Sequence, residues 1–170
     1  MSTVSSRFCR FRAVAVLLLM ACLLVALTGC GLKQIVLPSG KKSTDALAPA
    51  KANQVVATVR KQIGVHYRYG GSTPRGFDCS GLIWWGYKQH GINVPRVAAD
   101  QATTGRGVSV SAALPGDILV FRTTSGLHTG LYAGNGVFIH APSSGKRVRE
   151  ESLKSTYWRP RLTAVRRVYI

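Results

Sequence analysis

Three residues of this 170-residue chain have side chains that could together carry out nucleophilic chemistry: Cys79, His128 and His140. Cys79 lies in the stretch GFDCSGLIWWGY, directly after Asp78, which is a good N-cap for a helix. At the first turn of a helix, unpaired N–H groups and the positive end of the macrodipole stabilise a thiolate and can lower the pKa of the thiol. The position suits a nucleophile. The alternative is a buried hydrophobe, a common role for free cysteine.

The two histidines lie in a region of strand-like segments. His128 occurs in GLHTGLYAG and His140 in GVFIHAP, on either side of the tight turn AGNG at 133–136. If the two segments pair as a hairpin about that turn, the histidines meet at its open end. Taken singly, each could be a structural residue held by hydrogen bonds. A nucleophile on a helix, a base on a strand and an orienting group on the next strand together form a triad.

The elements that would position these residues follow from the spacing of apolar residues. The segment KANQVVATVRKQIG at 51–64 has valines at helical spacing, and a second helix is predicted from about 79 to 90. After GINVPR the chain changes to short extended segments separated by turns. Helices first and strands afterwards indicate an α+β fold, with N-terminal helices packed on a C-terminal antiparallel sheet of about five to six strands. The extended segments are GDILVFR, LHTGLYAG, GVFIHAP, KRVREES and LTAVRRVYI.

A set of motifs runs in order along the second half of the chain. They are YRYGG, GFDCSGLIWWGY, VPR followed by Gln101, LPGDILVF, HTGLYAGNG, FIHAPSSGKRV and the terminal AVRRV. The ordered set resembles the NlpC/P60 family of cell-wall cysteine endopeptidases, papain-like enzymes that cut the stem peptides of peptidoglycan. The Asp-Cys-Ser-Gly core alone is a weak motif, whereas the ordered set with its spacings is specific. The resemblance implies a papain-like fold and a peptidoglycan substrate.

The resemblance also implies a role for each member of the triad. Cys79 is expected to be the nucleophile, His128 the general base and acid, and His140 the group that orients His128. The thiolate would attack an amide carbonyl, N–H groups at the start of the helix would stabilise the oxyanion, and His128 would protonate the leaving amine. No cofactor is implied, and no metal, because the sequence has no H-E-x-x-H motif and Cys79 has no neighbouring ligand.

The resemblance to the family also implies residues that contact the substrate. The hydroxyl of Tyr67 is expected to contact substrate or the oxyanion, and Asp78 and Ser80 are expected near the peptide end of the substrate. For Asp78 the alternative is a helix cap and nothing more. The sequence leaves two roles open for His66, next to Tyr67: a residue of the site, or a side chain whose hydrogen bonds are made outside it.

The function implied is a peptidoglycan endopeptidase, with the cleaved bond left open. It is either the γ-linked D-Glu to diaminoacid bond or the cross-link between stems. Two alternatives remain: a papain-like amidase or acyltransferase acting on a substrate outside the wall, and an inactive wall-binding lipoprotein. Val94 stands where the family often has Leu, and 98–100 is a nonstandard run, so substrate preference is also open. The sequence indicates no regulator.

The N-terminus has the pattern of an export signal. Three arginines precede the apolar run 13–27, which is shorter than the roughly 20 residues that a membrane-spanning helix needs. The run ends in Leu-Thr-Gly-Cys, which resembles the lipobox of bacterial lipoproteins, so we expect a lipid on Cys30; Cys22 is a poorer candidate. The alternative is an uncleaved anchor or an ordinary secretory signal. The predicted division is 1–29 signal peptide, 30–50 lipidated N-terminus and flexible tether, and 51–170 peptidase domain.

Charge and cysteine count bear on compartment and partners. The chain has a net charge of +17, and removal of the leader with its three arginines leaves +14 and Cys79 as the one free thiol, which excludes a disulfide framework. An exported basic protein is expected to meet anionic lipid or cell-wall polymer and no nucleic acid, although a generic basic surface is the alternative. Gly31 after the lipidated cysteine, in place of the aspartate that retains lipoproteins at the inner membrane, indicates the outer membrane, facing the periplasm.

The lipobox gives a direct prediction. Cys30→Ala removes the thiol that would be acylated, so we expect an unprocessed or soluble product. Membrane fractionation with mass spectrometry of the N-terminus measures this, and Cys22→Ala is the matched control. A membrane-bound, normally cleaved product of Cys30→Ala would contradict the lipobox.

Overall fold

A computed structural model describes residues 41–143 and 145–168 of the chain. The predicted leader, the predicted lipid on Cys30 and the first part of the predicted tether lie outside these residues. The described residues belong to one compact unit. Within the described part, no helix is both long enough and apolar enough to span a bilayer.

A six-stranded antiparallel sheet forms the centre of this unit, in the order β3-β8-β4-β5-β6-β7, beside a small β1–β2 hairpin. The predicted α+β class and strand number are confirmed. The β1–β2 hairpin and strand β3 were not predicted, because two or three residues give too little pattern. The strands are β1 (Ser72–Thr73), β2 (Gly76–Phe77), β3 (Arg106–Val108), β4 (Ile118–Thr123), β5 (Gly126–Gly134), β6 (Val137–His140), β7 (Arg149–Ser152) and β8 (Leu162–Arg167).

The helices precede most of the sheet in the chain: α1 (Lys41–Arg60), α2 (Cys79–Lys88) and the single turn α3 (Ala98–Gln101). Helix α1 begins ten residues before the predicted domain start at Lys51, inside the segment predicted as a flexible tether. Prolines suggested a tether, but the segment is also rich in alanine, the strongest helix former, and Pro49 lies inside the helix. Two 3₁₀ turns, Val110–Ala112 and Arg159–Arg161, complete the helical elements of the described residues.

The sheet has a buried apolar cluster on each face. Helices α1 and α2 cover one face, where Val59 and Ile83 belong to the same cluster as Leu131 of β5. Phe121, Phe138 and Trp158 belong to a second cluster, which packs on the other face. Because successive strand residues point to opposite faces, β5 directs Thr129 and Leu131 to one side of the sheet and His128 to the other.

The hairpin of β5 and β6 is the element that brings the two histidines together. Its turn contains Asn135 and Gly136, with φ of 52° and 73°, the left-handed conformations that a tight hairpin turn requires. The register pairs Leu131 with Ile139, so the histidines lie away from the turn. The hairpin predicted from the AGNG turn is confirmed.

Close contact between α1 and α2 depends on the missing side chain of Gly86. A Cβ at this position would lie 2.2 Å from Val59 Cγ2. We expect Gly86→Ala to lower the free energy of unfolding by about 1–3 kcal/mol through overpacking. Urea denaturation measures this, and Val59→Ala in the same chain should relieve part of the loss. Strictly additive effects of the two substitutions would show that the helices do not meet there.

Candidate active site

The N-terminus of α2 presents Cys79 as its first residue. Asp78 is the N-cap, with φ −87° and ψ 176°, and its Oδ1 accepts the N–H of Gly81 at 2.6 Å. Arg96 donates to both carboxylate oxygens of Asp78, Nη1 to Oδ1 at 2.9 Å and Nη2 to Oδ2 at 2.7 Å. The capping role of Asp78 is therefore present in the structure, and a bidentate ion pair holds the cap in place.

Ser80 and Asp78, both predicted near the peptide end of a substrate, share this arginine. The buried Ser80 hydroxyl donates to Asp78 Oδ1 at 3.3 Å and accepts from Arg96 Nη1 at 3.1 Å. Arg96 also donates to the Gly71 carbonyl at 3.2 Å. The VPR motif contains Arg96, but no local pattern in the sequence indicates these contacts. The arginine joins the loop before α2 to the helix N-terminus.

Gln101 connects the helix half of the site to the sheet half. Its fully buried amide nitrogen donates to the carbonyls of Ser80 at 2.9 Å and Pro95 at 2.8 Å. Its amide oxygen accepts from the hydroxyl of Thr129 at 3.0 Å. Thr129 precedes Gly130 on β5 and follows His128, so this amide fixes α2 relative to the strand that carries the histidine. Its position after VPR was noted in the sequence, but its contacts were not.

The Cys79 thiol is largely buried against β5 and has its pKa raised. Burial is the largest cause, and the charge of Asp78 raises the pKa further. The backbone N–H groups of Thr129 and Ser80, which favour a negative charge on the sulfur, oppose this increase. The expected lowering of the thiol pKa at the helix N-terminus is therefore wrong for the resting site, because burial outweighs the N–H donors.

His128 and His140 form a buried pair. His128 is 7% exposed and His140 is fully buried, and His128 Nε2 lies 2.8 Å from His140 Nδ1. Burial lowers the pKa of His128 to about 3, assisted by the nearby His140 and opposed by Glu151. Burial also lowers the pKa of His140 to about 3, and the charges of Arg149 and Lys146 add to it. Both imidazoles are neutral in the resting protein at neutral pH.

Trp158 forms a wall of the histidine pair. Its ring stacks on His128 at 5.2 Å between centroids and contacts the edge of His140 at 5.0 Å. A cavity of about 390 Å³ opens beside these residues, so the buried His128 can still be reached from outside. Neither Trp158 nor Glu151, which also lines the cavity, was singled out in the sequence. The cavity is lined by Thr123, Ser125, His128, Pro142, Ser143, Lys146, Arg149, Glu151, Tyr157 and Trp158.

Tyr67 and His66 differ in their placement. Tyr67 is half-buried, and burial followed by the negative charges of Cys79 and Asp78 raises the pKa of its phenol. Its hydroxyl therefore stays protonated near Cys79 and can donate a hydrogen bond. His66 is exposed and pairs through its backbone with Arg147. The described contacts bring Tyr67 towards Cys79 and leave the side chain of His66 outside the site.

Comparison with known proteins relates this arrangement to one family. Residues 64–167 match the sequence model of the NlpC/P60 family. The chain is 37% identical over 122 residues to the gamma-D-glutamyl-L-lysine dipeptidyl-peptidase of Bacillus subtilis, covering 69% of this chain and 41% of that protein. It is 42% identical over 107 residues to the murein DD-endopeptidase/LD-carboxypeptidase MepS of Escherichia coli, covering 62% and 56%. The chain thus spans about half the length of these relatives.

One solved structure is similar to this chain in both sequence and fold. NlpC2 from Trichomonas vaginalis is 33% identical, with a TM-score of 0.66 over 71% of this chain and 47% of that one.

The lowered pKa values predict how stability depends on pH. An ordinary histidine titrates near 6.5 and this pair near 3, so the unfolded chain binds more protons between those values. Stability contributed by the neutral pair is therefore complete above pH about 6.5 and is lost as the pH falls towards about 3. Thermal unfolding of His128→Gln/His140→Gln should show a shallower loss across this window than the wild type. His66→Gln is the control, and equal slopes in all three proteins would contradict the burial of neutral histidines.

Proposed function

The chain belongs to the NlpC/P60 family, and from that membership we propose that it is a cysteine-type peptidoglycan endopeptidase acting through Cys79, His128 and His140. The observation that carries the proposal is the 2.8 Å contact between Nε2 of His128 on β5 and Nδ1 of His140 on β6, with Cys79 at the start of α2, the helix that packs on β5. The nucleophile, the base and the group that orients the base lie on three adjoining elements, α2, β5 and β6. No hydrogen bond joins Cys79 to His128 among the described residues, so in this proposal the two side chains meet in the substrate complex.

The proposed reaction begins with neutral groups. His128 donates its Nε2–H to His140 Nδ1, which leaves His128 Nδ1 with a lone pair for the thiol proton. As that proton moves from Cys79 to His128, the sulfur attacks the amide carbonyl and a tetrahedral intermediate forms. His128 then gives the proton to the leaving amine, and the acyl group remains on sulfur as a thioester. Water, deprotonated by His128, releases the acid and restores the thiol.

The developing oxyanion needs donors in place before the reaction. The backbone N–H of Cys79, at the start of α2, and the hydroxyl of Tyr67 are the donors proposed here. The carboxylate of Asp78 already accepts hydrogen bonds from Gly81 and Arg96. Only its remaining lone pairs are therefore free to accept a hydrogen bond from a substrate amine. We propose that Asp78 and Ser80 act with Arg96 as one polar surface on the acyl side of the scissile bond.

The substrate class follows from the relatives. One is named for a γ-D-glutamyl-L-lysine bond and another for DD-endopeptidase and LD-carboxypeptidase activities. We propose amide bonds of stem peptides as the substrates, either the γ-D-Glu to diaminoacid bond or the cross-link. The basic excess of the chain would favour capture of anionic wall polymer. The lipid on Cys30 and placement at the outer membrane, facing the periplasm, are part of the same proposal and rest on the lipobox.

Two other functions are distinguishable by experiment. An amidase or acyltransferase outside the wall would share the triad but leave sacculi intact. An inactive wall-binding lipoprotein would bind sacculi without new termini, and the retention of all three triad residues argues against it.

Digestion of purified sacculi tests the proposal and identifies the bond. We expect mass spectrometry to find new stem-peptide termini with the wild type and none with Cys79→Ala, because the alanine variant has no nucleophile. His128→Ala should lose about 10²–10⁴-fold in rate, the range of general acid–base catalysis. His140→Gln should lose less, because an amide oxygen can still accept the imidazole N–H. His66→Gln is the control, and wild-type turnover by Cys79→Ala would overturn the mechanism.

A further inference from the structure

Glu151 is a carboxylate with three polar neighbours beside the histidine pair. It lies on β7 opposite Phe138 of β6. Its Oε2 accepts the indole N–H of Trp158, and its Oε1 accepts from Arg149 Nε at 2.5 Å. The same Oε1 lies 3.4 Å from His140 Nε2. Nothing in the triad mechanism above requires a carboxylate at this position.

The second observation is the state of His140 Nε2. This nitrogen is completely buried and has no hydrogen-bond partner of good geometry among the described residues. Yet if Nδ1 accepts from His128, the single proton of neutral His140 must sit on Nε2. A buried N–H without an acceptor is costly. The Glu151 oxygen is within ion-contact distance but misaligned, a looseness that substrate-free catalytic sites often show and that tightens in the reacting complex.

The third observation is the balance of charge around the pair. When His128 takes the thiol proton, a positive charge appears in a buried place. The groups facing the pair are Trp158, the cations Lys146 and Arg149, and Glu151, which is the one carboxylate among the described residues in contact with His140. Trp158 stacks on His128 while donating to Glu151, so one side chain fixes both the ring and the carboxylate.

We propose that Glu151 is a positioning residue of this site, whose carboxylate accepts the Nε2–H of His140, fixes the tautomer that receives the His128 proton, and balances the imidazolium charge. The inference rests on the proposed function for the identity of the reaction it assists. The proton that moves is the thiol proton of Cys79, which passes to His128 Nδ1. The proton on His140 stays on Nε2, and no proton passes to Glu151.

The test is Glu151→Gln, with Glu150→Gln as the matched control. Glu150 is the adjacent carboxylate, 36% exposed, and it pairs with Arg60 at 2.7 Å on the surface. The glutamine removes the charge and keeps one acceptor oxygen, which can face either Trp158 or His140. Two readouts are needed: alkylation of Cys79 by iodoacetamide as a function of pH, quantified on the peptide that contains it, and the pH profile of kcat/KM on a stem peptide.

The expected results follow from the sign of the charge. Glu151 raises the pKa of His128, so its removal destabilises the imidazolium. We expect kcat/KM and the rate of Cys79 alkylation to fall about tenfold across neutral pH, the ratio that corresponds to one pKa unit, and the acid limb of kcat/KM not to move to higher pH. Glu151→Asp should recover part of both effects, and Glu150→Gln should behave as the wild type.

A double substitution separates positioning from a general structural role. If Glu151 acts through His140, then Glu151→Gln should add little in a His140→Gln background, although it slows alkylation in the wild type. Equal effects in both backgrounds, or Glu151→Gln profiles that overlay those of Glu150→Gln, would overturn the inference. The alkylation readout uses no wall substrate, so a failure to digest sacculi would count against the proposed function and leave this test intact.

Discussion

The site depends on one buried amide. Gln101 hydrogen bonds to the carbonyls of Ser80 and Pro95 and to the hydroxyl of Thr129, and so joins the helix that carries Cys79 to the strand that carries His128. Apart from this amide and the apolar packing of α2 on β5, each side has its own contacts: Arg96 holds the start of α2, and the β5–β6 hairpin holds the histidines. Without the amide, nothing polar among these contacts would set the distance between nucleophile and base, and three buried groups would lose partners.

Burial determines the protonation of the resting site. It raises the pKa of Cys79 and lowers that of both histidines, so the uncharged forms are favoured until a substrate arrives. In the proposed reaction, charge separation is coupled to attack on the carbonyl, and it needs both N–H donors at sulfur and a counter-charge behind the imidazole. The Thr129 N–H meets the first need and Glu151 is suited to the second.

Local patterns were predictable from the sequence, and long-range contacts were not. The AGNG turn predicts the hairpin because its Asn and Gly tolerate positive φ, and Asp78 predicts the start of α2 because it caps it. The contacts of Gln101 and Glu151 join residues distant in the chain or depend on side-chain direction, and no local pattern encodes them. The pKa of Cys79 does not follow from its position at the helix N-terminus for the same reason, since the depth of burial is a property of the fold. Helix α1 begins before Lys51 because the alanines of this segment favour helix although Pro49 lies within it.

The stacking of Trp158 on His128 gives the protein a built-in optical probe. A protonated imidazole in contact with an indole quenches its fluorescence, whereas the neutral ring does so much less. Of the three tryptophans in the chain, Trp84 and Trp85 lie on α2, and Trp158 is the one in ring contact with the histidine pair. Protonation of His128 is therefore expected to change the emission of Trp158, over a background from Trp84 and Trp85, in real time and without any label.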